Sequence, residues 1–171
     1  MAGHDRDEEF TAYVGARLAW LRQVAFALCG DWHHADDLTQ TTITRLYTHW
    51  PRVSRMHNPD GYLRTMLVNA FLKEQRSSRR WRLMHKDEDW AVPRVDVEAR
   101  LDLRQALAAV PPRQRATVVL RFYEDLTVEQ TAEALNCSVG TVKSQTARGL
   151  EALRRLLGPR TPALNTGGAD Q

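Results

Sequence analysis

Residues 126–157, LTVEQTAEALNCSVGTVKSQTARGLEALRRLL, decide the fold class. Thr127 and Gln130 stand at the spacing of a capping box, in which a hydroxyl and an amide satisfy two of the free N–H groups at a helix start. They open a helix that turns Val128, Thr131, Ala132 and Leu135 inward. Asn136-Cys137-Ser138 makes a three-residue turn, and Ser138 caps the next helix. That second helix buries Val139, Val142, Thr146, Leu150, Leu153 and Leu157. Its opposite face is Thr141, Ser144, Gln145 and Arg148, with Lys143 and Ala147 on the shoulders. The pattern is a helix-turn-helix.

A second helix with small polar and basic side chains in its first turns suits a major groove. Lys143 and Arg148 reach phosphates or guanine edges, Ser144 and Gln145 bond base edges, and Ala147 meets a thymine methyl. A plain helical hairpin with a solvated outer face is the competing reading. Turn length, caps and clean sidedness together favour duplex DNA.

Working outward, helical spacing fills the rest of the chain. Phe10, Tyr13, Val14, Leu18, Leu21, Ala25 and Leu28 form one stripe, closed by Gly30. Asp31 caps a second helix with Ala35, Leu38, Ile43, Leu46, Tyr47 and Trp50 inward, ended by Pro51. Asn58-Pro59 is a cap followed by proline at the first helical position, opening the stripe Tyr62, Leu63, Met66, Leu67, Ala70 and Phe71. Periodicity fades between Arg82 and Val97, then resumes with Leu101, Leu103, Ala106, Leu107 and Val110. A short helix after Pro111-Pro112 carries Ala116, Val119, Leu120 and Tyr123. No run alternates apolar with polar residues as a half-buried strand would. The expectation is an all-α chain of two small helical domains, 1–81 and 98–157, joined by a linker at 82–97 and followed by a disordered tail at 158–171. Each domain is small enough that docking on a large partner would add to its stability.

The chain has 171 residues and a net charge of +3. The distribution of charge is more informative than its sum. Residues 1–37 carry a net −4, 71–86 a net +5, 87–102 a net −4, and 135–160 a net +4. Two basic blocks separated by an acidic one imply two polyanion contacts. Cys29 and Cys137 are too few for a disulfide framework or a four-cysteine zinc site, so a reducing, cytoplasmic setting is expected. No stretch has the ~18 apolar residues of a membrane span, and MAGHDRDEEF lacks a basic-then-apolar signal pattern. Membrane insertion is not expected.

Motifs for catalysis fail on inspection. Gly140-Thr141-Val142-Lys143-Ser144 has valine where a phosphate-binding loop needs glycine before the lysine. His33, His34, Asp36 and Asp37 have no further histidine cluster to complete a metal site. No nucleophile motif surrounds Cys137 or any serine. The expectation is a non-enzyme without metal or cofactor.

The first basic block is different in kind from the second. The helix from Pro59 carries Tyr62, Arg64, Asn69, Lys73, Arg76, Arg79, Arg80, Trp81 and Arg82. Bases of a single strand stack on rings while cations follow phosphates, so this mixture fits melted DNA. Asn69, polar within the apolar stretch LVNAF, is placed to bond a base edge. Packing of Trp81 on the bundle, with the arginines as a solvated helix end, fits the composition equally well.

The order of DDLTQTTITRLY, NPDGYLRTMLVNAFLKEQRSSRR and the terminal helix-turn-helix resembles the bacterial RNA polymerase sigma factors of the extracytoplasmic-function type, in the sigma-70 family. The likeness spans roughly residues 10–157 in the family's order and spacing, and VPPRQRATVVLRFYEDLTVEQTAEALNCSVGTVKSQTARGLEALR is similar to an actinobacterial subgroup. The resemblance implies two domains, sigma2 and sigma4, with no domain between them. It implies that Asp36, Asp37, Leu38, Gln40, Thr41, Thr44 and Arg45 bind the clamp helices of the polymerase β′ subunit. Gln40 is followed by Thr41, where the family commonly has an acid. Asn69 falls where the family captures a base of the melted −10 element, and Lys73, Arg76, Arg79 and Arg80 where it holds the backbone. The acidic linker corresponds to the segment that threads the polymerase. The second domain corresponds to one that binds the β flap and reads the −35 element as duplex, through Ser138, Thr141, Lys143, Ser144, Gln145, Ala147 and Arg148. An anti-sigma factor is a frequent partner in the family.

A stand-alone helix-turn-helix regulator, with the N-terminal bundle as sensor or dimerisation domain, is the alternative. Such a regulator needs one duplex reader and a dimer interface spanning two half-sites. This chain pairs one duplex reader with one aromatic and basic block, an arrangement that gains affinity when a large partner fixes their separation.

Overall fold

The computed structural model describes residues 2–84 and 102–158. Among these residues there are seven α-helices and no strand. The expected linker from residue 85 onward and the expected tail from residue 159 lie outside the described residues.

Helices α1 (Ala2–Cys29), α2 (Trp32–Val53) and α3 (Pro59–Met84) form the first bundle. Gly30 ends α1 because the chain turns there at φ +74°, where a side chain would be strained, and its N–H reaches the Phe26 carbonyl at 2.7 Å. Asp31 then caps α2 by accepting from the His33 N–H at 2.7 Å. Asn58 does the same for α3, its Oδ1 accepting from the Gly61 N–H at 2.9 Å. A Cβ on Gly61 would sit 2.5 Å from the Asn58 amide, so only glycine lets this cap fold over.

The core of this bundle departs from the sequence pattern in instructive places. Leu18, expected inward, is exposed, while Val24 is buried with Leu21, Ala25 and Leu28. Arg17 takes the inward-leaning place beside Leu18, because it pairs with Asp60 in the first turn of α3 at 2.5 Å. Tyr47, also expected inward, lies on the rim and donates to Asp7 at 2.9 Å, tying the start of α1 to α2. Thr39 and Thr42 are buried instead, their hydroxyls satisfied by the Ala35 and Leu38 carbonyls. Pro51 does not stop α2, which runs on to Val53. Its missing N–H removes one bond in the last turn only, so the helix ends two residues later. Likewise, the sequence pattern places Arg82 in the linker, whereas α3 continues through Arg82, Leu83 and Met84.

The second bundle comprises α4 (Leu103–Ala109), α5 (Pro112–Val118), α6 (Val128–Leu135) and α7 (Val139–Leu157). Asp102 and Gln105 make a capping box for α4, as Thr127 and Gln130 do for α6. Leu103 is 63% exposed, against the expectation, and the buried positions here are Ala106 within α4 and Val110 at its C-terminal cap. A π-helical turn at Val119–Tyr123 follows α5, with the Glu124 N–H on the Val119 carbonyl at 3.0 Å. The wider turn shifts the phase of the chain by one residue. Tyr123, expected inward, is therefore 51% exposed beside exposed Phe122, and the Glu124 side chain turns in instead.

Helix α7 crosses α5 closely. A Cβ on Gly149 would lie 2.7 Å from Val118 Cγ2, so the contact requires glycine. Val142, Gly149, Ala152 and Leu153 make the buried face, with Val139, Thr146, Leu150 and Leu157 half-buried at its edges.

The two bundles are docked on each other. Ala116, Val119, Leu120, Ala134 and Leu135 share one hydrophobic core with Leu28, Leu67 and Phe71 of the first bundle. Arg115 of α5 donates to the Leu28 carbonyl at 2.8 Å and lies 5.5 Å over the Phe71 ring. Glu124 accepts from Arg64 Nε at 2.7 Å and from Trp20 Nε1 at 3.1 Å.

Candidate nucleic-acid interface

The duplex-reading helix is built as its caps require. Asn136 adopts the left-handed conformation at φ 50° and ends α6. Ser138 accepts from the Thr141 N–H at 3.1 Å and starts α7, with the two hydroxyls 2.9 Å apart. Lys143, Ser144, Ala147 and Arg148 are exposed, while Thr141 and Gln145 are half-buried. The outward face is thus rotated relative to the sequence reading. Ala147, assigned to a shoulder, stands near its centre beside Ser144; Lys143 and Arg148 flank them, and Gln145 turns toward the first bundle. Gln145 Oε1 is buried there without a hydrogen-bond partner.

The first basic block lies along α3. Asn69, Lys73, Arg76, Arg79 and Arg80 are all exposed. Asn69, Lys73, Arg76 and Arg80 follow one another at helical spacing on a common face. Arg79 lies to one side, and with Arg76 and Arg82 it lines a groove of about 800 Å³ whose far wall includes Arg113 and Gln145. Trp81 is exposed, as a stacking platform requires, and Leu83 and Met84 beside it are exposed as well. Of the expected duplex-reading residues, Gln145 shares this groove with Arg76 and Arg79 of the other set.

The residues assigned to polymerase binding divide in two. Asp37, Gln40, Thr41, Thr44 and Arg45 are exposed and share one face of α2. Asp37, Thr41 and Arg45, together with Lys73 and Ser77 of α3, surround a groove of about 320 Å³ whose floor holds Leu38 and Ala70. Leu38 itself belongs to the core. Asp36 is engaged by Arg22, whose Nε and Nη2 donate at 2.6 and 3.2 Å. These charge-assisted bonds hold the Asp36 carboxyl below the usual carboxylate range.

Arg115 and Glu124 are the cross-bundle residues that sequence patterns pass over. Arg115 had one available signal: it is an arginine at an inward phase of a short apolar helix, one turn before Val119. Glu124 had none, because its inward aim depends on the π turn. Burial lowers the pKa of Arg115, and it pushes the Cys29 thiol nearby up to about 12, with Glu74 adding to the rise. Of the histidines considered as metal ligands, His34 pairs with Glu74 at 2.8 Å. Among the described residues no three metal-ligating side chains gather, and no helix is long and apolar enough to cross a membrane.

An all-helical pair of bundles, one presenting a capped duplex-reading helix and the other an aromatic and basic helix, is the architecture of a promoter-reading factor. Comparison with known proteins agrees. Sigma-70 region 2 matches residues 13–82, and sigma-70 region 4 matches residues 100–153. The RNA polymerase sigma-E factor of Streptomyces avermitilis is 33% identical over 163 residues, which cover 92% of this chain and 89% of that protein. The ECF RNA polymerase sigma factor SigE of Mycolicibacterium smegmatis is 35% identical over 79% of this chain and 56% of its own length. Among solved structures, the sigma factor RpoE in complex with the anti-sigma factor NepR from Bartonella quintana superposes with a TM-score of 0.68 at 25% identity, over 88% of this chain and 97% of that one. The chain belongs to the sigma-70 family, among its extracytoplasmic-function sigma factors. The fold and function expected from the sequence are those of an alternative sigma factor.

Proposed function

We propose that this chain, as a cytoplasmic and non-catalytic initiation factor, directs core RNA polymerase to promoters by dividing recognition between its two bundles. Asn69 and Trp81 take bases of the melted −10 strand, while Lys73, Arg76, Arg79 and Arg80 follow its phosphates. Lys143, Ser144, Ala147 and Arg148 meet the −35 duplex in the major groove, with Ser138 and Thr141 fixing the start of the helix that carries them. Gln145 joins them once it is released from the groove it shares with α3. The β′ clamp helices pack on Asp37, Gln40, Thr41, Thr44 and Arg45, and the second bundle meets the β flap. Asp36 and Leu38 act through position, the one locking α2 to Arg22 and the other anchoring it in the core. An anti-sigma factor, the partner seen with the Bartonella quintana relative, is proposed here too.

The observation that carries this reading is the placement of exposed reading residues on two helices of opposite character. One, α3, mixes aromatic, amide and basic side chains, and the other, α7, presents small polar and basic ones. A stand-alone regulator has no use for the first. Run-off transcription with purified chain, core polymerase and genomic promoter fragments tests the proposal. Specific transcripts that need both protein components support it. Tight duplex binding by the chain alone, with no transcript when core enzyme is added, returns the stand-alone regulator.

A further inference from the structure

The groove between the second half of α3 and the corner joining α4 to α5 is charged in one sense only. Arg76, Arg79 and Arg82 of α3 line one wall and Arg113 of α5 the other, around a volume of about 800 Å³, and among the described residues no carboxylate lines it. All four arginines are exposed, and none is ion-paired among the described residues. Arg115 also borders the groove, but the Leu28, Ala108 and Val110 carbonyls engage its guanidinium. Like charges held on facing walls repel, and a compact anion between them replaces that repulsion with attraction. The rest of the lining is more selective than an electrostatic patch. Leu72, Ala108, Ala109 and Pro111 supply apolar surface, and Gln145 Oε1 is buried without a hydrogen-bond partner. A buried amide acceptor that lacks a donor is uncommon in a folded protein and marks a place where a partner belongs.

We propose that this groove is a binding site for a nucleoside di- or triphosphate. The phosphates lie among Arg76, Arg79, Arg82 and Arg113, whose planar guanidinium groups can each direct paired N–H donors at phosphate oxygens. The base lies on the apolar side, where an exocyclic amino group or a ring N–H donates to Gln145 Oε1. The groove falls within the ~300–1,000 Å³ of small-molecule sites, and it has their combination of apolar surface with a few convergent polar groups. Inorganic phosphate alone would leave both the apolar surface and the amide unused. Arg82 and Arg113 belong to neither expected DNA set, so the site is more than a by-product of those sets. Arg76 and Arg79 are shared with the −10 set, and a bound nucleotide competes with the melted strand for them. That consequence rests on the promoter assignment; the binding itself does not.

Isothermal titration calorimetry of the full-length free chain, with ATP, GTP and inorganic tripolyphosphate as separate probes, tests the proposal. A single saturable site is expected for at least one nucleotide, with an affinity at least about tenfold above that for tripolyphosphate. Arg113→Gln, at an exposed position, is expected to weaken nucleotide binding about tenfold, and Arg113→Lys to recover part of the loss. Gln145→Leu nearly keeps the volume of the side chain and removes the acceptor. It is expected to abolish the preference for nucleotide while leaving the affinity for tripolyphosphate unchanged, which also shows that the groove is still folded. No saturable binding up to ~1 mM nucleotide overturns the proposal, as does equal affinity for tripolyphosphate and both nucleotides. Tighter, Arg113-dependent binding of a single-stranded oligonucleotide than of either nucleotide overturns it too, because the groove is then a path for nucleic acid. These titrations contain neither polymerase nor promoter, so failure of the promoter assignment and failure of the nucleotide site are read separately.

Discussion

Arg115 Nη1 donates to the carbonyl oxygen of Leu28 at 2.8 Å, joining the second bundle to the end of α1. Arg115 is 8% exposed, and the groups that receive its guanidinium are carbonyls, those of Leu28, Ala108 and Val110. A buried cation without a counter-ion is costly, and burial lowers its pKa accordingly. The carbonyls at the C-terminal ends of α1 (Leu28) and α4 (Ala108 and its cap Val110), which lie at negative dipole ends, offset that cost.

Arg115→Ala therefore removes several charge-assisted bonds at once and leaves three carbonyls to find water. Urea unfolding is expected to show a loss of about 3 kcal/mol. Arg115→Lys is expected to recover only part of it, because an ammonium cannot reproduce the fork that spans Leu28, Ala108 and Val110. Full recovery by lysine would show that charge alone matters.

Asp60 gives the fold an acid dependence. Burial raises its pKa, but hydrogen bonds from Arg17 at 2.5 Å and the Tyr13 hydroxyl at 2.7 Å outweigh it, and the folded value lies below the ordinary one. The stabilisation is complete above the unfolded carboxylate value of ~3.9 and is lost as pH falls through the lower folded value. Asp60→Asn is expected to lower the melting temperature at neutral pH and to flatten its decline in the acid range. A parallel shift at every pH would contradict this.

Gly149→Val puts atoms where Val118 Cγ2 already lies 2.7 Å from the first added carbon. Overpacking of this kind costs about 1–3 kcal/mol, and here it also pushes α7 away from α5. Denaturant unfolding checks the first effect, and weaker binding to −35 duplex checks the second.

The two reading surfaces should fail differently. Asn69→Ala, at an exposed site, is expected to impair −10 opening while leaving affinity for core polymerase unchanged. Lys143→Ala, if the side chain contacts phosphate, is expected to weaken −35 binding uniformly across sequences and reduce the salt slope by about 1. Arg148→Ala is expected to cost about 1–3 kcal/mol where the lost contact is bidentate to a base. Measured binding to fork-junction and duplex promoter fragments separates these outcomes.

What sequence could reveal was local. The caps at Asp31, Asn58, Thr127 and Ser138 are stated by adjacent residues, and the structure has each of them. The departures occur where a distant partner or a change of helical period intervenes. Leu18 gives way because Asp60 engages Arg17 from 43 residues away. Tyr123 and Glu124 exchange aims because a π turn shifts the phase, which a fixed 3.6-residue period cannot anticipate. The exposed amides and cations of both reading helices were legible, because their helices were. The tilt of Gln145 into the groove was not, since it is set by how two bundles dock.

The chain is expected to open promoters only together with core polymerase, using α3 on the melted strand. Permanganate reactivity of −10 thymines, on promoter fragments retained by the holoenzyme, tests this most directly. Reactivity is expected with chain and core enzyme together, absent with either alone, and strongly reduced by Asn69→Ala. Unreactive thymines in the presence of both, on fragments that the free chain binds tightly as duplex, would contradict it.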